Sequence, residues 1–242
     1  MRRWLFRAFG WIMVVGFTAA CRPPVATESE RVRTDAQAKT LVYEDHFEQG
    51  AANWQPTDAS AWKIIEQDEN KVYALYRQSS YQPPHRSPHN IALLKNVSAS
   101  NFDLRARVRS TTRDYGHRSM CLFFGYQDPA HFYYVHFGQE GDDHSNQIFI
   151  VNDAARTKIT TRTTKGTPWD HNWHDVRIVR DVTSGHIAVY FDDMDNPVMT
   201  ANDKTFTQGQ VGLGSFDDTG NWDDVRLFVI TGDQKSDSNS SN

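Results

Sequence analysis

The sequence predicts an all-β protein built as two antiparallel sheets, a sandwich or jelly roll. Three observations predict it. Short apolar or alternating segments follow one another along most of the chain. None holds a long run at the helical period, and Gly, Asp, Asn or Pro separates most of them. With 242 residues, 38% hydrophobic and 12% aromatic, the chain has material for one sizeable core near the upper end for a single β domain.

The first residues stand apart from that pattern. "MRRWLFR" is basic, and "AFGWIMVVGFTAA" is an apolar run of signal-peptide length, short for a membrane span. Thr18, Ala19 and Ala20 then precede Cys21. The stretch resembles a lipobox with Thr18 in place of the usual leucine. That implies cleavage before Cys21 and lipid on its sulfur, as in a bacterial lipoprotein of the cell envelope. Simple secretory cleavage and an uncleaved anchor are the alternatives, and each places the remainder outside the cytoplasm. Residues 1–20 are thus expected to be a signal peptide and 21–40 a polar tether with two prolines. The folded domain is expected over 41–231, with a polar tail over 232–242.

Within the domain, alternation assigns faces. In "FDLRARVR", Phe102, Leu104, Ala106 and Val108 point one way, and Asp103, Arg105, Arg107 and Arg109 the other. In "HDVRIVR", Val176 and Ile178 point inward, as do Ile187, Val189 and Phe191 in "HIAVYFD". In "WDDVRLFVI", Val225, Leu227 and Val229 oppose Asp224, Arg226 and Phe228. The middle segments "MCLFFGYQ", "HFYYVHF" and "NQIFIVN" are apolar on both parities. Such strands belong at the centre of a curved sheet, with one face in the core and the other forming a covered or concave surface. Tyr133, Val135 and Phe137 are then core residues, and Phe132, Tyr134 and His136 line a groove.

Net charge is −4, so no global basic field draws the protein to nucleic acid. The two cysteines, Cys21 and Cys121, exclude a disulfide framework, and Cys121, inside an apolar strand, reads as an inert buried thiol. A monomer is expected.

Several segments together resemble the concanavalin A-like lectin/glucanase superfamily. They are "LVYEDHFEQGAANWQPTDASAWKI", "FDLRARVR", the "LFFGYQDPAHFYYVHF" hairpin, which is similar to the laminin G-like branch, and the closing "GQVGLGSFDDTGNWDDVRL". The resemblance spans nearly all of 41–227 and implies a concanavalin A-like jelly-roll sandwich that engages carbohydrate. Members also include family 16 glycoside hydrolases and 3-keto-disaccharide hydrolase-related domains; the glucanase signature "E-x-D-x-x-E" is absent here.

A first candidate constellation joins His85 and Arg86 in "PPHRSPHN", together with His89, to His117 and Arg118 in "YGHRS", Tyr134, His136 and Gln147. Sugars need this mixture, because apolar faces cover C–H surfaces while planar donors and acceptors fix hydroxyls or carboxylates. Such a set suits a groove that binds a poly- or oligosaccharide. It also suits an enzyme in which two titratable groups converge, His136 with Tyr134 or His117. The alginate-lyase-like branch is an analogy for that chemistry. Taken singly, each residue is explained as well by loop capping or packing, and a structural envelope protein whose loops plug the face is a third reading. In "TPWDHNWHD", Trp173 reads as core filler and Trp169 as a sugar-stacking platform at the groove rim. A second constellation is acidic: Glu44 and Asp45 near the first strand, and Asp217, Asp218, Asp223 and Asp224 near the last. The end strands of a sandwich lie together, so Glu44, Asp45 and Asp224 are the expected oxygen ligands of a structural calcium, which the resemblance also implies. Turn chemistry is the plainer explanation of "DDTGN". "GDDHSN" is explained fully by a hairpin loop.

Overall fold

The structure, a computed structural model, describes residues 38–231. The expected signal peptide, Cys21 and the tail lie outside the described residues, as does all but the end of the tether. The sixteen strands found there form two antiparallel sheets, with one 3-10 turn at Ala59–Ala61. The larger, nine-stranded sheet holds β1 (Lys39–Asp45), β3 (Trp62–Gln67), β4 (Asn70–Leu75), β6 (Phe102–Ser110), β11 (Thr160–Thr163), β12 (His174–Arg180), β13 (His186–Phe191), β14 (Met199–Asn202) and β16 (Gly220–Ile230). The seven-stranded sheet holds β2 (Trp54–Pro56), β5 (Asn90–Leu94), β7 (Ser119–Asp128), β8 (His131–Gly138), β9 (Gln147–Asn152), β10 (Thr157–Lys158) and β15 (Gln210–Ser215), in the order β10-β9-β8-β7-β15-β5-β2. The chain ends meet as expected: β1 pairs with β16, which is long enough to pair with β4 as well.

Local chemistry sets several of these joins. The β3–β4 hairpin turns on Asp68 and Glu69, both at positive φ (53° and 64°), the backbone of a two-residue turn that matches strand twist. In β16 the ladder shifts between Asp223 and Arg226, with Asp224 at φ 48°. That bulge lets Trp222 and Val225 both reach the core.

The main core lies between the sheets. The larger sheet contributes Leu104, Val108, Val176, Ile178, Ile187 and Leu227; the smaller contributes Leu122, Phe124, Tyr133, Val135, Phe137 and Leu213. Each fully buried aliphatic or aromatic side chain contributes about 1.5–3 kcal/mol. The smaller sheet carries a second apolar layer on its other face: Ile91, Leu93, Cys121, Phe123, Phe132, Tyr134, Phe149 and Val151. Tyr81, from the segment between β4 and β5, packs onto that layer. The face on which Tyr134 and His136 were expected to line a groove is therefore covered at those residues. On the larger sheet, Asp103 points outward yet is fully buried, gripped by Lys39, Arg105 and Arg177.

Candidate functional site

Pairing builds the site from the middle of the smaller sheet. Cys121, His136 and Gln147 are cross-strand neighbours on β7, β8 and β9, and Phe123, Tyr134 and Phe149 form the adjacent row. With a period of two, all six share the outer face. Tyr134 and Phe149 stack with centroids 5.1 Å apart.

Two segments close over these rows. From the β9–β10 hairpin, Arg156 lays its guanidinium against Phe149 (4.5 Å) and Phe216 (4.4 Å) and donates to the Tyr134 hydroxyl at 2.8 Å and the His144 carbonyl at 3.2 Å. From the β8–β9 loop, "GDDHSN" is laced down by His117 Nε2 to Asp142 at 2.8 Å, Gln147 Nε2 to the Asp142 carbonyl at 2.7 Å, and Lys158 Nζ to Asp143 at 2.5 Å. Gly138 permits this crossing, since a Cβ there would stand 1.8 Å from Ser145 Oγ.

His136 is consequently 4% exposed, and neither ring nitrogen has a hydrogen-bond partner among the described residues. Burial, reinforced by the Arg156 charge, lowers its pKa to about 3, against a weak upward pull from the His144 backbone. Burial likewise pushes the Tyr134 hydroxyl well up, and the Cys121 thiol with it. Both groups lie under cover, away from solvent.

The accessible feature lies beside this cluster. A pocket of about 280 Å³ opens where the 82–89 segment faces Phe216, lined by Pro83, Pro84, His85, Arg86 and His89 among others. His89 and Phe216 meet edge to face at 5.6 Å, and the His136 ring lies 6.1 Å from the same Phe216 ring, so Phe216 joins the pocket to the buried cluster. The pocket is held to the sheet by the Arg156 N–H donating to the Arg86 carbonyl (3.0 Å) and the His89 N–H donating to the Phe216 carbonyl (3.0 Å).

The expected residues thus separate. His85 and Arg86 line the pocket; Tyr134, His136 and Gln147 lie together beneath the covering loops; His117 is exposed and ties down one of those loops. Two corrections follow from burial. Arg118, expected to meet sugar, is 1% exposed and donates to Ser110 and to the Asp170 carbonyl. Trp169, expected at the groove rim, is 6% exposed, donates to the Phe137 carbonyl at 2.8 Å and packs on Phe191. Trp173 takes the half-exposed position instead, under Arg107. Arg156 and Phe216 are the residues that sequence reasoning missed. Arg156 sits in a polar hairpin that alternation does not describe, and Phe216 falls in a turn after β15.

Of the acidic constellation, Glu44 and Asp224 meet, but around His46 and Arg226, and Asp45 is engaged elsewhere. Glu44 pairs with Arg226 at 2.6 Å. Asp45 accepts from the Tyr43 hydroxyl, the Phe47 N–H and Trp54 Nε1. Asp218 pins Tyr115 and Ser119. The groups that do approach one another are His46, Asp223 and Asp224. Asp224 there already faces His46 at 2.5 Å and Arg107 at 3.4 Å, and Asp223 accepts from Asn70. One nitrogen, two carboxylates and neighbouring guanidinium groups do not match calcium's demand for six to eight oxygens.

No family model matches the sequence, and no curated protein matches it by sequence. Solved structures match the fold. A carbohydrate-binding module, CBM66 from Bacillus subtilis, aligns with a TM-score of 0.51 and 19% identity over 72% of this chain and 93% of that one. A Bacillus subtilis protein with a galectin-like fold aligns at 0.52 and 8% identity over 81% of this chain and 100% of that one. The GH43 protein BlXynB from Bacillus licheniformis aligns at 0.55 and 10% identity over 77% of this chain but 39% of that one. At these identities the likeness is one of fold alone: the chain shares with them a two-sheet antiparallel β-sandwich.

Proposed function

We propose that this protein is an exported glycan-binding domain and that the pocket at the 82–89 segment is where it meets sugar. The observation that carries the reading is the pocket itself: prolines and a half-buried Phe216 supply apolar surface, while His85, Arg86 and His89 supply planar polar groups at its rim. The fold it shares with a carbohydrate-binding module supports the same reading. An enzymatic reading is weaker, because Tyr134 and His136 are sealed from solvent and His117 is committed to Asp142. The covered face does favour one second reading, a structural envelope protein.

Glycan-array binding of the full chain, compared with Phe216→Ala and His85→Ala, separates the two. Saturable binding weakened about tenfold or more in both variants, at unchanged melting temperature in His85→Ala, is expected. Absence of binding to any glycan would leave the structural reading. For localisation, the apolar leader followed by "TAAC" supports lipid attachment at Cys21.

A further inference from the structure

Positive charge gathers around this pocket without a compensating acid. Arg86 is exposed, and its guanidinium has no ion pair or hydrogen-bond partner among the described residues. Arg156 abuts it through the backbone, and its guanidinium rests on Phe216, one of the pocket's walls. The side-chain partners of Arg156, the Tyr134 hydroxyl and the His144 carbonyl, are both neutral. No Asp or Glu lines the pocket; Asp217, the next residue after Phe216, is exposed outside it. The chain has 30 acidic residues against 26 Lys and Arg, so acids are not scarce. On the larger sheet they are used: Arg105, Arg107, Arg177 and Arg226 each meet a carboxylate. Two neighbouring arginines without one, Arg86 lining the pocket and Arg156 behind its Phe216 wall, leave charge for an incoming group.

We infer that the pocket selects an acidic sugar, one carrying a carboxylate or a sulfate. This rests on the glycan reading above and names the substrate class of the same site. The guanidinium of Arg86 offers a planar fork of N–H donors that matches two oxygens of such a group, a geometry lysine cannot supply. Arg156, half-buried behind Phe216, adds its field where water screens less than at an open surface. His85 and His89 are placed to hydrogen-bond ring hydroxyls. The volume, about 280 Å³, is at the lower limit of typical small-molecule sites, about 300–1,000 Å³. It therefore holds about one sugar unit, with the rest of a chain running over the rim.

The test uses the full-length protein on an array of acidic and neutral oligosaccharides. The array includes two matched pairs: hexagalacturonate with its methyl ester, and a sulfated carrageenan hexasaccharide with its desulfated form. Calorimetry then measures the tightest ligand at 50 and 500 mM NaCl. Expected are binding to acidic members at least about tenfold tighter than to neutral ones, and weakening in high salt. Loss of about tenfold or more in Arg86→Ala is also expected, with smaller recovery in Arg86→Lys. The matched pairs show whether the charge is taken as carboxylate or as sulfate. Equal binding of charged and neutral partners, or an Arg86→Ala variant as tight as the parent, overturns the charge selection and leaves the glycan reading standing. No binding to any member overturns both.

Discussion

Asp103 shows how a single residue on an outward face becomes structural. Burial pushes its carboxyl up, but bonds from Arg105 and Arg177 outweigh that and hold its pKa at about 2. The folded pKa is depressed, so the pair's contribution is present above the ordinary value of 3.8 and is lost as pH falls toward about 2. Asp103→Asn leaves the buried Arg177 guanidinium without its charge partner, and a loss of about 3–5 kcal/mol in chemical denaturation is expected. His136 loses stability in the same direction, over a higher pH window. Its folded pKa of about 3 lies below the ordinary 6.5, so the unfolded chain takes up a proton that the native protein refuses. Stability is expected to fall by about 1.4 kcal/mol per pH unit as pH drops from about 6.5 toward 3. His136→Leu should remove that slope, and denaturation curves at pH 7, 5 and 4 read the difference.

At the scale of elements, β8 and the segment before β12 make separable predictions. Phe137 and Trp169 are linked through the Trp169 Nε1–H bond to the Phe137 carbonyl, and both pack on Phe191. Truncating either to alanine opens a cavity in the main core and should cost about 3–5 kcal/mol. Because Trp169 faces the core, a marginally stable Trp169→Ala protein kept folded at low temperature should bind glycan as the parent does. Impaired binding there would return Trp169 to the ligand surface. Alternation assigned the core residues of β6, β12 and β13 to their face correctly, because the period of two leaves no freedom, although Val179, Ala188 and Tyr190 form a second small buried cluster on the outer side. It also put Tyr133, Val135 and Phe137 in the core. It did not show that the opposite side of β8 would be sealed, since a strand's own pattern carries no information on which distant loop covers it.

For the whole molecule, β1 lies beside β16, and the carboxylates there are met by protein groups: Glu44 by Arg226, and Asp224 by Arg107 and a hydrogen bond to His46. A chelator is therefore expected to leave the melting temperature unchanged; a fall of several degrees with EDTA, abolished in Asp223→Asn, would place a cation at that end. Cys21 lies outside the described residues, and its expected role is tested in cells. Cys21→Ser should move the protein from the membrane fraction to the soluble exported fraction, whereas unchanged association would indicate an uncleaved leader.

Sequence alone determined the fold class, the core faces of the half-buried strands and the meeting of the chain ends, because periodicity and turn residues are local properties of the chain. It also brought His85 and Arg86 forward, in a Pro-braced segment with little apolar to bury. Tertiary structure decided what each polar residue does. Arg118 and Trp169 carry the same side-chain chemistry as ligand-binding residues, and only packing against Ser110 and Phe137 shows them to be framework. Arg156 and Phe216 are 60 positions apart in the chain (216 − 156) and meet at 4.4 Å, so their place at the pocket arises from sheet pairing. The physical reason is range: alternation is set by neighbours two residues away, whereas accessibility is set by segments that the fold brings in from elsewhere.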